Sequence, residues 1–185
     1  MRSSEAPIRR PVTRASVLAV DASGARSRPD RLVTEEPMEI RVYGPGEAPV
    51  PLAVTMRTPG NDFELAAGFL RTEGVVAGDE GLDTIAYCLA GDGEQQYNVV
   101  TVKLRRRIAL EATARRFLAN SSCGVCGKAA LEDLAVRCEP VGAGPTVAAS
   151  VVRSLPARLA AHQRVFDETG GLHAAACFGA DGTLV

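Results

Sequence analysis

A chain of 185 residues that is 46% apolar, 4% aromatic and free of tryptophan can bury a core built mainly from Ala, Val and Leu. Its 21 Lys and Arg face 22 Asp and Glu, a near-neutral balance that argues against a general nucleic-acid binder. No apolar run approaches the roughly 18 residues of a membrane span, no apolar segment follows the N-terminal arginines as in a secretory signal, and five mostly isolated cysteines make no disulfide framework, so a cytoplasmic protein with free thiols is expected.

Residues 1–28, rich in Arg, Ser, Ala and Pro, are expected to form a flexible tail with a short strand over residues 17–20. The alternation in Met38-Glu39-Ile40-Arg41-Val42-Tyr43 predicts a strand, broken by Gly44-Pro45-Gly46. Val50, Leu52, Val54 and Met56 alternate again as a second strand. Thr58-Pro59-Gly60 then turns the chain. Asn61 is placed to cap a helix, with Glu64 as its capping-box partner, Phe63, Ala66, Ala67 and Leu70 on its apolar face and Gly74 as its stop.

Strands are predicted over residues 84–89 and 97–104, helices over 111–119 and 128–136, and a loop over 120–127. After a Gly/Pro-rich linker at residues 142–145, Ser154 is expected to cap a helix running to about Glu168, with Pro156 in its first turn. Gly170-Gly171 ends it. Residues 173–178 and 183–185 read as strands joined by Gly179-Ala180-Asp181-Gly182. The expected division is a tail over residues 1–28, an α/β part over 29–118, and a part over 119–185 that holds the cysteine loop.

The sharpest local feature is Asn120-Ser121-Ser122-Cys123-Gly124-Val125-Cys126-Gly127-Lys128. Two thiols three positions apart can face each other or one common ligand. The glycines allow close backbone approach, the serines offer hydroxyl donors, and Lys128 adds positive charge, all of which favour a reactive thiolate. Such a thiolate carries a persulfide sulfur, and a neighbouring thiol can expel it. The same spacing also suits half of a zinc site, a redox pair, or two inert buried cysteines, the last disfavoured by the glycines and serines around them. Arg57, Thr58 and Gly60 precede a helix start and are candidates for phosphate contact, or form an ordinary strand-to-helix turn. Arg105, Arg106, Arg107, Arg115 and Arg116 could approach an anionic ligand or simply make a solvated face. His173 is followed two positions later by Ala175, so the glutamate of a zinc deaminase is absent and deamination is rejected.

Ser121-Ser122-Cys123-Gly124-Val125-Cys126-Gly127-Lys128 resembles the central motif of FdhD, the formate dehydrogenase accessory sulfurtransferase family. The resemblance continues in Glu35-Glu36-Pro37-Met38-Glu39-Ile40, in Met56-Arg57-Thr58-Pro59-Gly60-Asn61-Asp62, in Glu64-Leu65-Ala66-Ala67-Gly68-Phe69-Leu70 and in Thr169-Gly170-Gly171-Leu172-His173-Ala174-Ala175-Ala176. It covers most of residues 30–185.

The resemblance implies an α/β fold: a mixed sheet with flanking helices, comprising a core similar to cytidine deaminases and a smaller N-terminal α+β part. It implies a sulfurtransferase that takes sulfur from a cysteine desulfurase and passes it to the molybdenum (or tungsten) bis(molybdopterin guanine dinucleotide) cofactor. That cofactor is a bound substrate destined for formate dehydrogenase, and no permanent metal is expected. Cys123 is the implied persulfide carrier and Cys126 its partner. Arg57, Thr58 and Gly60, from their place before a helix start, and His173, as a core or pocket-lining histidine rather than a metal ligand, are the candidate cofactor contacts. A homodimer is a further implication; nucleic acid and membrane are not expected partners. The alternative is a zinc-stabilised or redox CxxC binding module without sulfur transfer. Asn61 departs from the family's usual His. Family members continue beyond the motif near His173, so a truncated chain with an incomplete cofactor pocket is expected.

Overall fold

The computed structural model describes residues 10–76, 81–88, 97–107 and 142–185. The chain divides into two compact units, one of Met1–Arg10 with Glu35–Cys138 and one of Pro11–Thr34 with Glu139–Val185. They are not contiguous in sequence, unlike the division expected at residues 28 and 118.

The first unit is a mixed sheet with a helix on it, the α/β arrangement expected. Strands β3 (Glu36–Tyr43) and β4 (Val50–Arg57) form an antiparallel pair. The chain then passes through helix α1 (Asp62–Thr72) and strand β5 (Leu82–Tyr87) to strand β6 (Val99–Leu104). The order is β4-β3-β6-β5, with β6 parallel to β3 and antiparallel to β5. Alternation builds the core: Met38, Ile40 and Val42 from β3 and Val100, Val102 and Leu104 from β6 point one way and are fully or almost fully buried. Ala66 and Leu70 of α1, four apart on one helical face, cover them. On the other side of β3, Arg41 donates to both carboxylate oxygens of Glu39 at 2.9 and 3.0 Å.

A bulge interrupts β4. Ile40 faces Ala53 while Arg41 faces Pro51, so Leu52 is the extra residue. Beyond it the faces of β4 exchange. Val54 and Met56 turn outward, 48% and 53% exposed, and Arg57 turns inward.

Helix α1 begins where expected, but the Asn61 side chain makes no cap hydrogen bond. Asp62, the first helical residue, instead accepts the Gly60 amide at 3.4 Å, a bond within the turn that precedes the helix. Phe63 is 37% exposed rather than part of the buried face. Gly74 stops the helix with φ of 70°, letting the Val75 and Val76 amides close on the Leu70 carbonyl.

In the second unit, residues 12–28 are not a flexible tail. They belong to a hairpin of β1 (Val12–Asp21) and β2 (Gly24–Val33), each ten residues long and in unbroken register from Val12↔Val33 to Asp21↔Gly24. Asp21 orders the turn by accepting from the Ser23 amide at 2.8 Å and from the Ser23 hydroxyl. Helix α2 (Ala149–Ala160) starts five residues before the expected cap; Ser154 lies inside it and donates to the Val151 carbonyl at 2.7 Å. The helix also ends early, and α3 (Arg164–Thr169) follows as a separate turn. Gly170, at φ of 69°, terminates α3 as expected. The two strands expected after it reduce to one bridge, Phe178↔Leu184, around the turn at Gly179–Gly182.

Candidate functional site

The buried charge of the first unit gathers at the turn from β4 into α1. Arg57 enters it because the bulge at Leu52 swings the end of β4 inward. Its side chain is 2% exposed, as is that of Asp62. Nε donates to Asp62 Oδ2 at 3.1 Å, Nη2 lies 3.0 Å from the same oxygen, and Nη2 also donates to the Tyr97 carbonyl at 3.1 Å. Nη1 donates to Glu36 Oε2 at 3.1 Å, across the strand pair where Glu36 and Arg57 stand opposite each other. All three guanidinium nitrogens are therefore engaged. One arginine ties the start of β3, the start of α1 and the approach to β6.

An aromatic layer closes this cluster. Tyr87 donates its hydroxyl to Asp62 Oδ2 at 3.3 Å and meets Tyr97 edge-on with centroids 5.3 Å apart. Phe63 leans on its other side at 4.8 Å. Burial first, and then the Asp62 carboxylate, push the Tyr87 phenol above its ordinary range. Tyr97 itself holds φ of 50°, the left-handed region where a non-glycine residue is uncommon, at the point where its carbonyl meets Arg57.

Thr58 and Gly60 lie in the turn itself. Gly60 adopts φ of 137°, which an L side chain resists, although no atom would crowd one. The Thr58 hydroxyl oxygen is buried and, among the described residues, is the one buried side-chain polar atom without a hydrogen-bond partner. Leaving such a group unmet costs about 1–3 kcal/mol. Arg57, Thr58 and Gly60 are thus brought together, but with unequal freedom: a phosphate would have to displace Glu36 or Asp62 from Arg57, whereas the Thr58 hydroxyl is uncommitted.

His173 belongs to the second unit and is exposed. Cys123, Cys126 and Lys128 lie outside the described residues, as do Arg115 and Arg116. Arg105 and Arg107 donate to the backbone carbonyls of Leu82 at 2.8 Å and Pro45 at 3.1 Å. Among the described residues no three His, Cys, Asp or Glu side chains gather as metal ligands, and no helix is long and apolar enough to cross a membrane. Sequence reasoning missed Glu36, Asp62 and the Tyr97 carbonyl as the partners of Arg57, and Tyr87 as the further partner of Asp62. The acidic residue at a helix start was a visible signal, whereas the strand register that delivers Glu36 was not.

A model of the FdhD/NarQ family matches residues 33–185, most of the chain. The chain belongs to the FdhD/NarQ family. It is 49% identical over 181 residues to a sulfur carrier protein FdhD of Mycolicibacterium paratuberculosis, covering 94% of this chain and 64% of that one. It is 46% identical over 179 residues to the protein of the same name in Streptomyces coelicolor, covering 93% and 62%. A third, from Anaeromyxobacter dehalogenans, is 42% identical over 162 residues, with 84% and 54% covered. The chain thus spans less than two thirds of the length of these curated relatives. The cysteine pair and the Arg57 turn both fall within the span matched to the FdhD/NarQ family.

Proposed function

We propose that this FdhD/NarQ chain is a sulfur carrier acting as a sulfurtransferase through Cys123 and Cys126. The observation that carries the reading is the family match across residues 33–185, which contains the cysteine pair, together with relatives called sulfur carrier proteins. In the proposed cycle a cysteine desulfurase presents sulfur as a persulfide on its own cysteine. The Cys123 thiolate attacks the terminal sulfur, a new S–S bond forms on Cys123, and the desulfurase cysteine leaves as thiolate. Cys126 thiolate then attacks the Cys123 sulfur. The terminal sulfur departs as hydrosulfide to the acceptor, and a Cys123–Cys126 disulfide remains for a thiol reductant to open. Thiols reduced in the cytoplasm suit this cycle.

The proposed acceptor is the molybdenum bis(molybdopterin guanine dinucleotide) cofactor, bound as substrate on its way to formate dehydrogenase. The uncommitted Thr58 hydroxyl and the Gly60 backbone are the proposed contacts of the turn to that substrate, with Arg57 holding the turn in place.

The test is intact-mass analysis after incubation with a cysteine desulfurase and cysteine. The chain gains a sulfur; Cys123→Ala does not; Cys126→Ala gains it but releases little to an acceptor. Sulfur addition to Cys123→Ala at the wild-type yield overturns the assignment. Zinc bound stoichiometrically to the purified chain would favour the metal-stabilised binding module instead.

A further inference from the structure

Arg57 holds its partners on unequal terms. Nε and Nη2 both meet Asp62 Oδ2, at 3.1 and 3.0 Å, and Nη2 also donates to the Tyr97 carbonyl at 3.1 Å. The Asp62 carboxylate is itself held by the Gly60 amide and the Tyr87 hydroxyl, and its side chain is 2% exposed. Displacing it would strand a charge away from water, so this side of the guanidinium is fixed. The Nη1 side differs. Nη1 donates to Glu36 Oε2 at 3.1 Å, and the Glu36 side chain is 24% exposed. A carboxylate that leaves this contact gains solvent, which offsets much of the loss.

Glu36 is also one anion more than the arginine needs. Asp62 already balances the single positive charge of Arg57 in the interior. Glu36 adds a second carboxylate, so the three side chains together carry one net negative charge. Glu36 is the first residue of β3 and shares the parity of Met38, Ile40 and Val42, so the strand places its carboxylate on the core face. It stands opposite Arg57 at the end of the β3–β4 ladder, where a side chain can turn away without unseating the apolar residues behind it.

We propose that Glu36 is an internal stand-in for a phosphate. Its oxygen occupies the position beside Nη1 where an anionic oxygen is held. A phosphate oxygen of a diphosphate-bearing ligand takes that position as Glu36 turns out to solvent. Arg57 keeps Asp62 and the Tyr97 carbonyl throughout, so the turn that carries Thr58 and Gly60 keeps its shape. The uncommitted Thr58 hydroxyl is a second donor in the same turn. Glu36 thereby sets the affinity of the site and its preference for phosphate, because a neutral group cannot replace a carboxylate at Nη1. The proposal rests on the reading that this turn contacts the dinucleotide substrate, and it names the edge of Arg57 that is exchanged.

The test is calorimetric titration of the full chain with inorganic pyrophosphate, guanosine diphosphate and guanosine. Glu36→Gln keeps the shape and removes the charge. It should bind pyrophosphate and guanosine diphosphate about tenfold more tightly than the unaltered chain, since one charge-assisted contact no longer has to be displaced. Guanosine should show no such gain. Glu64→Gln removes an exposed charge from the first turn of α1 and should change the diphosphate affinities by less than about twofold. In an Arg57→Met background the gain from Glu36→Gln should vanish. Thermal unfolding separates a purely structural role: Glu36→Gln should melt closer to the unaltered chain than to Arg57→Met. An equal gain in Glu64→Gln, a gain that extends to guanosine, a gain that survives Arg57→Met, or a Glu36→Gln chain that melts as early as Arg57→Met would each overturn the proposal. Diphosphate binding with no gain in Glu36→Gln overturns the proposal and leaves the turn as a substrate contact. Binding by neither chain overturns both, while sulfur loading is read separately by intact mass.

Discussion

Replacing Arg57 with Met keeps the aliphatic stem and removes the guanidinium that joins Glu36, Asp62 and the Tyr97 carbonyl. Asp62 is then left as a carboxylate with a 2% exposed side chain, and removing one member of a buried ion pair costs about 3–5 kcal/mol. The lower end applies to this pair. Glu36, 24% exposed, can regain water, and Asp62 retains the Tyr87 hydroxyl and the Gly60 amide. At roughly 2–4 °C per kcal/mol for a chain of this size, a loss of about 3 kcal/mol lowers the Tm of the first unit by about 6–12 °C. Thermal unfolding followed by circular dichroism measures this. The companion variant Asp62→Asn and the double variant complete a cycle, in which the double should be more stable than the two single losses added, by about 0.5–3 kcal/mol. A Tm shift under about 2 °C for Arg57→Met, or strict additivity in the cycle, would refute the view that this arginine is committed to holding the turn.

Tyr87 has its phenol raised above the ordinary value of 10.0 by burial and Asp62, so the folded state keeps the proton longer than the unfolded one; stability is full below pH 10 and falls as pH rises through the folded value. Tyr87→Phe should flatten the alkaline limb of the Tm–pH curve between about pH 9 and 11, and an unchanged limb would assign it to other groups. Leu70, fully buried under α1, should cost about 2–5 kcal/mol as Leu70→Ala in denaturant unfolding of the first unit, whereas a loss below about 1 kcal/mol would mean that α1 is not seated on the sheet. Lys128→Glu should raise the pH at which Cys123 alkylates rapidly, and a superimposable pH–rate curve would remove the lysine from thiolate stabilisation.

The four strands of the first sheet and α1 were legible because their apolar residues repeat with periods of two and near four, and each period follows from local geometry. The cysteine pair and the turn at Thr58 and Gly60 were legible in the same way, as residue types at fixed short spacing. The hairpin was not. β2 reads Gly-Ala-Arg-Ser-Arg-Pro-Asp-Arg-Leu-Val, with a proline and four charges, and it is a strand because β1 supplies its register rather than because its own pattern demands one. Ser154 looked like a cap because its hydroxyl could serve one, yet that hydroxyl bonds back to Val151 within a helix already under way.

Residue order alone was enough for the family and for the elements whose signal lies within one or two turns of chain. The company those residues keep was settled in three dimensions. Arg57 looked free for a phosphate, yet Glu36 reaches it from 21 positions away through the β3–β4 register, and the Tyr97 carbonyl from 40 positions away through β6. The bulge at Leu52 turns the arginine inward to meet them. Periodicity is a property of neighbours along the chain, whereas a buried charge must find its counter-charge wherever the closing sheet delivers one, and that is set by pairing register across the fold.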